Sequence, residues 1–145
     1  MKILVSACLL GEACRYDGAS RPCAHIIKLK EQHTVIPVCP EVMGGLPTPR
    51  PASEIQADGR LINLCGEDVT AEYRRGAEAV LALAREHGAT VAILKEKSPA
   101  CGKGRVYDGS FTGTLRDGNG VCAELLLGNG IRVLGESACQ EIDAL

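Results

Sequence analysis

Three cysteines carry the chemistry that this sequence offers. Cys8 closes the apolar run Lys2-Ile-Leu-Val-Ser-Ala-Cys8, Cys39 closes Thr34-Val-Ile-Pro-Val-Cys39, and Cys101 follows shortly after Thr90-Val-Ala-Ile-Leu94. If the three runs are neighbouring parallel strands, their carboxyl ends share one edge, where open α/β sheets build their ligand sites. Three thiolates meeting there can hold a soft metal or an iron–sulfur cluster and leave one coordination position open. Each cysteine also has a simpler reading as a small buried apolar residue. That reading suits Cys122, on the apolar face of a helix, and also Cys65 and Cys139, whereas Cys14 and Cys23 lie near the Cys8 loop as possible spare ligands.

The spacing of the eight cysteines excludes several sites. No Cys-x-x-Cys pair occurs, which argues against a zinc ribbon, a thioredoxin-type dithiol and a ferredoxin-type run. Any inorganic group must therefore be gathered by the fold. Two groups beside the cysteines could move or orient protons. Glu41 stands two residues after Cys39, and Ser98 three residues before Cys101 on a proline-constrained turn. A carboxyl group in a partly dry pocket has its pKa raised toward neutrality, as general acid–base work requires. The ordinary alternatives are a solvated carboxylate for Glu41 and a turn or cap hydroxyl for Ser98. Arg15, Tyr16, Asp17 and Arg50 read equally as surface ion pairs or as substrate contacts, and Gly102-Lys-Gly104 is too short for a phosphate loop.

The elements that would position these groups alternate strand and helix. Strands are expected at about 2–8, 33–39, 90–94 and 131–134. Helices are expected at about 20–32, from Asp68 or Thr70 to about 87, around Cys122, Leu125 and Leu126 with an end at Gly128 or Gly130, and at 136–145. Pro37 demotes the second strand to an edge position or an early end. Between Pro40 and Asp58, five Gly and Pro residues leave no regular element, and a loop of that length is usually functional. Arg60–Leu64 suggests a short extra strand, and a glycine-rich loop spans Lys95 to about Gly118. Alternation of this kind implies right-handed βαβ units. The expected fold is α/β, one three-layer Rossmann-like domain over residues 1–145 with a mostly parallel sheet of about four strands.

Composition narrows the class of partner. The chain is 46% apolar but 3% aromatic, so its core must be aliphatic, and its net charge of −2 gives no reason to expect duplex nucleic acid or a membrane surface. Val-Ser-Ala-Cys8 resembles a lipoprotein cleavage site, but the apolar stretch before it is too short for a signal sequence. No segment approaches the length of a membrane span. The expectation is a cytoplasmic protein with reduced or metal-bound thiols.

Three linked motifs add a resemblance. They are Ser6-Ala-Cys-Leu-Leu-Gly11 with Cys14-Arg-Tyr-Asp-Gly18, Val38-Cys-Pro-Glu-Val42 with Gly44-Gly-Leu-Pro-Thr-Pro-Arg50, and Leu94-Lys95 with Ser98-Pro-Ala-Cys-Gly102. In this order they resemble the thiouracil desulfidase family, over nearly the whole chain. The resemblance implies a Rossmann-like domain with a [4Fe-4S] cluster held by Cys8, Cys39 and Cys101, its fourth iron free for the sulfur of a substrate. It also implies Glu41 and Ser98 as catalytic and substrate-orienting residues. The implied reaction is a non-redox, hydrolytic C–S cleavage that converts a small thiolated nucleobase to its oxo analogue and releases sulfide, with the iron–sulfur assembly machinery as a further partner. Two other readings remain open: a non-catalytic cluster or sulfur carrier, and a metal-free enzyme with Cys101 as nucleophile.

Overall fold

The order in which the strands lie explains why distant residues meet. The computed structural model describes all 145 residues. Its main sheet has four parallel strands, β1 (Lys2–Ser6), β2 (Thr34–Val38), β5 (Val91–Leu94) and β8 (Arg132–Gly135), in the order β2-β1-β5-β8. β1 therefore lies between β2 and β5, and the chain runs outward from it in both directions. The carboxyl ends of β1 and β5 form the switch point at which doubly wound sheets bind their ligands. β2 is an edge strand, which accommodates Pro37 opposite Val5 without loss of an interior ladder bond.

Helices cover both faces. On one side α1 (Ala24–Ile27) and α5 (Cys139–Asp143) bring Ile26 and Ile142 against Ile3, Val5, Val91 and Ile93. On the other, α3 (Thr70–His87) and α4 (Val121–Gly128) bury Tyr73, Ala77, Val80, Ala84, Cys122 and Leu126 against Leu4, Ala92, Leu94 and Val133. The residues of β5 are buried on both faces, as a central parallel strand requires. α3 ends at Gly88, whose left-handed φ of 67° lets its N–H bond Arg85. No helix is long and apolar enough to cross a membrane.

Several boundaries differ from those read in the sequence. β1 stops at Ser6, and Ala7–Leu10 form a tight 3-10 turn ended by Gly11 at φ 103°, so Cys8 sits in the turn rather than in the strand. The helix expected from Ser20 begins at Ala24, because Arg21 and Cys23 donate backbone bonds to Cys8 and Leu9 and are thereby held outside it. It continues as a 3-10 turn at Lys28–Glu31. The breaker-rich stretch after Pro40 does contain regular structure. α2 (Pro40–Met43) is a single turn with proline at its first position, and β3 (Ser53–Ile55) pairs antiparallel with β4 (Leu61–Asn63). A second hairpin, β6 (Arg105–Tyr107) with β7 (Leu115–Asp117), occupies the glycine-rich loop.

Three glycines fix the loops against the helices. A Cβ on Gly76 of α3 would lie 1.8 Å from the Pro40 carbonyl oxygen, and one on Gly44 would lie 2.0 Å from that of Glu72. The α2 turn and α3 thus touch backbone to backbone. A Cβ on Gly120 would likewise meet the Ala100 carbonyl at 2.5 Å, which presses the loop preceding Cys101 onto the start of α4.

Candidate active site

A cavity of about 560 Å³ opens at the carboxyl ends of β1, β2 and β5. Cys8, Cys14, Cys39 and Cys101 all line it, together with Glu41 and Ser98. Each thiol arrives by a different local device. Cys8 is turned inward by the 3-10 turn and is 7% exposed. Cys39 directly follows β2 and occupies the N-cap position of α2. Cys101 follows the Ser98-Pro99-Ala100 turn, in which the Ser98 hydroxyl oxygen accepts the backbone N–H groups of Ala100 at 3.1 Å and Cys101 at 3.0 Å. The Cys39 thiol can donate to the backbone carbonyl of Cys14 at 3.8 Å, which sets the two residues side by side.

The carboxylate of this cavity is buried. Glu41 is 9% exposed, and its Oε1 lies 3.9 Å from the Cys39 sulfur, which can donate to it. Burial raises its pKa above the ordinary carboxyl range, and the Arg50 guanidinium, 3.6 Å from Oε2, opposes that rise. Arg50 is itself buried. It donates to the carbonyls of Pro47 (3.2 Å) and Cys14 (3.0 Å) and to the Thr48 hydroxyl (3.2 Å), so it ties the first and second loops together. Its Nε–H has no partner.

Three of the thiols in the cavity, those of Cys14, Cys39 and Cys101, are hard to ionise in this setting. Contact with Cys14, then burial and the Glu41 charge, push Cys39 well up. Burial, then the charge of Glu41, do the same to Cys101, whose thiol also meets the Ser6 hydroxyl. Cys14, drawn down by Cys39 but pushed up by Cys8 and by burial, ends at about 11. No cation stands among the causes that would lower them. Binding to a metal deprotonates such thiols outright. No three His, Cys, Asp or Glu side chains are arranged to hold a single metal ion. In an iron–sulfur cluster each thiolate takes its own iron, so thiols delivered from several loops to the wall of one roomy cavity suit a cluster rather than one ion.

Comparisons with known proteins identify the family. Residues 3–138 match the family model of 2-thiouracil desulfurase. The chain belongs to the 2-thiouracil desulfurase family. It is 41% identical to YbbK, an uncharacterized protein of Bacillus subtilis (strain 168), over 97% of this chain and 99% of that one. Among solved structures it is similar to the [4Fe-4S]-dependent thiouracil desulfidase TudS, with a TM-score of 0.93 and 45% identity over 99% of this chain and 95% of the other.

In this member of the 2-thiouracil desulfurase family the other cysteines stand apart from the cavity. Cys122 is fully buried between α4 and the sheet, with its thiol pushed up to about 12 by burial and by the Glu41 charge. Cys23 packs beside α1 on the opposite face of the sheet. Cys65 and Cys139 are exposed, contrary to the reading of both as buried apolar residues: one lies in the turn after β4, the other begins the short α5. Arg50 is buried rather than a surface partner, because three acceptors from two loops and the Glu41 carboxylate replace its water. Of the first-loop cluster, Arg15 and Asp17 do form an ion pair at 3.6 Å near the surface. Ser6, which accepts the Lys95 N–H at 2.9 Å and so joins the ends of β1 and β5, was not foreseen. Its one sequence signal is a hydroxyl ending an otherwise apolar strand.

Proposed function

We propose that this protein is a desulfidase that converts a thiolated nucleobase of the 2-thiouracil kind to its oxo analogue, with Cys8, Cys39 and Cys101 holding a [4Fe-4S] cluster. The observation that carries the reading is the buried Glu41 carboxyl on the wall of the cavity that those three thiols share. The family membership and the likeness to TudS support the same chemistry. When bound, the cluster supplies a Lewis-acidic iron with an open position for the thiocarbonyl sulfur.

The chain's own residues do the rest. Glu41 is held between two opposing influences, burial and Arg50, so its carboxyl can both give and take a proton in the cavity. It protonates a ring nitrogen of the substrate and accepts a proton from the water that attacks the thiocarbonyl carbon. The balance is one water consumed, one C–O bond formed, one C–S bond broken and one hydrogen sulfide released. Ser98 already accepts two backbone N–H groups, so its own hydroxyl proton remains to donate toward substrate or water. Arg50 fixes Glu41 and the Cys14 carbonyl, which keeps the carboxyl aimed into the cavity.

A metal-free mechanism with Cys101 as nucleophile fits poorly. Catalytic thiols are depressed by a cation, a helix start or a neighbouring imidazole, whereas Cys101 is pushed well up by burial and by Glu41. A carrier without turnover would have no use for a buried carboxyl among its ligands.

Anaerobic purification, iron analysis and sulfide release from 2-thiouracil and 4-thiouracil test the proposal, repeated with Cys8→Ser, Cys39→Ser, Cys101→Ser and Glu41→Gln. The expected result is about four irons per chain, lost with turnover in each serine variant. Glu41→Gln should keep its iron and lose turnover. Sulfide release from iron-free protein would overturn the proposal.

A further inference from the structure

The chain has three tyrosines, one phenylalanine and no tryptophan. All four of these aromatic side chains, Tyr16, Tyr73, Tyr107 and Phe111, line the one cavity. Distribution by burial alone would send them into the two hydrophobic clusters, but only Tyr73 is there. The rest of the core is built from aliphatic and small residues. Aromatic surface has been kept for the site.

Phe111 is the most deliberately held of the four. It is half-buried, belongs to neither core cluster, and lies at φ 57°. For a bulky side chain that left-handed backbone is a genuine outlier, and it persists only where the surroundings over-determine it. Here the brace is Glu54, a carboxylate only 9% exposed. Its Oε1 accepts the backbone N–H groups of Gly109 at 3.0 Å and Phe111 at 3.2 Å. The Gln56 amide donates to the Gly109 carbonyl at 3.3 Å, and Asp108 Oδ1 accepts both the N–H and the hydroxyl of Ser110. Glu54 forms no ion pair, and the bonds its carboxyl accepts both come from this loop. A strained phenylalanine fixed on the rim of a cavity presents a rigid π-face at little entropic cost on binding.

We propose that Phe111, braced by Glu54, is the ring-stacking residue of this cavity and selects flat heteroaromatic thioamides over thioamides without a ring. The proposal rests on the desulfidase reading for the reacting atom and adds the residue that recognises the substrate's ring. Face-to-face contact with a delocalised ring gains energy whatever its substituents, whereas an open-chain thioamide offers no such face. Glu54 is a positioning residue that acts through the Phe111 backbone.

The test uses the anaerobically purified holoprotein. Phe111→Leu keeps apolar volume and removes the π-face. KM for 2-thiouracil should rise about tenfold, with kcat and iron content little changed. Glu54→Ala should raise KM in the same direction, and Glu54→Gln, whose amide oxygen can still accept both N–H groups, should restore it. Because the chain lacks tryptophan, Phe111→Trp places its one tryptophan, which can be excited apart from the three tyrosines, at the stacking position. Its emission should be quenched saturably by 2-thiouracil and by uracil, and not by thiourea. An unchanged KM in Phe111→Leu, or emission indifferent to 2-thiouracil, would overturn the proposal. Saturable quenching without sulfide release by any variant would keep the stacking and sink the reaction.

Discussion

Glu41 illustrates how a single side chain acquires a role from its surroundings. A carboxyl group with 9% exposure is costly to leave charged, and a guanidinium 3.6 Å away makes the charge tolerable. Replacing Glu41 by Gln keeps the shape and removes the exchangeable proton. General acid–base catalysis typically contributes 100-fold or more, so kcat for thiouracil should fall by about that factor or beyond. KM and iron content should stay near those of the wild type. Steady-state kinetics alongside iron analysis decide the matter, and a variant that retained full kcat would remove Glu41 from the chemistry. Arg50→Ala should do more damage than Arg50→Met. Alanine opens a void and frees two loops, whereas Met keeps the packing and loses the bonds to Pro47, Thr48 and Cys14. The measure is denaturant stability of both variants, and the reverse order would show that packing is not what Arg50 contributes.

At the scale of elements, the site depends on contacts that no side chain makes. Gly76 sits in the interior of α3, where glycine costs roughly 1 kcal/mol relative to alanine. The structural reason is the approach of the Pro40 carbonyl, 1.8 Å from where a Cβ would stand. Gly76→Ala should therefore destabilise, against its helix propensity, by about 1–3 kcal/mol or more in denaturant titration. It should also displace the Cys39-Pro40-Glu41 turn enough to lower iron retention. A stabilised variant would mean that α2 and α3 are free to separate. The start of α3 allows a pH test. The Thr70 hydroxyl, then its backbone N–H, donate to Asp68 Oδ1 at 2.6 and 2.9 Å and hold that carboxyl below its usual range. A depressed native pKa stabilises the fold above the unfolded carboxyl value, and the stabilisation is lost as pH falls through the native one. The gap in Tm between wild type and Asp68→Ala should be open at neutral pH and close in acid. A gap independent of pH would assign the effect to packing instead.

At the scale of the whole molecule, what the sequence conveyed was periodicity, and what it withheld was tertiary pairing. Continuous apolar runs marked the four parallel strands, Pro37 marked β2 as an edge, and Gly88 marked the end of α3, because each is a local consequence of local residues. The cysteines at strand ends could be read for the same reason, since a parallel sheet gathers carboxyl ends on one edge. The hairpins β3–β4 and β6–β7 were hidden, wholly or in part, among glycines and prolines, because three-residue strands carry no period and form only against each other. The burial of Arg50 was hidden too, since its acceptors are carbonyls from two loops. The same long-range closure gives the last prediction. As the proposed ligands of one cluster, Cys8, Cys39 and Cys101 would tie together segments separated by 31 and 62 residues, and a group that binds the folded arrangement alone adds its binding energy to folding stability. Anaerobic removal of iron by a chelator should lower Tm by several degrees, at roughly 2–4 °C for each kcal/mol lost. Cys8→Ser should already show the lowered Tm and respond no further to the chelator. Cys122→Ser, altered in the core but away from the cavity, should still respond. If iron-loaded and iron-free protein melt together, the three thiols do not share one inorganic group, because no cluster can hold three loops without stabilising the fold that brings them together.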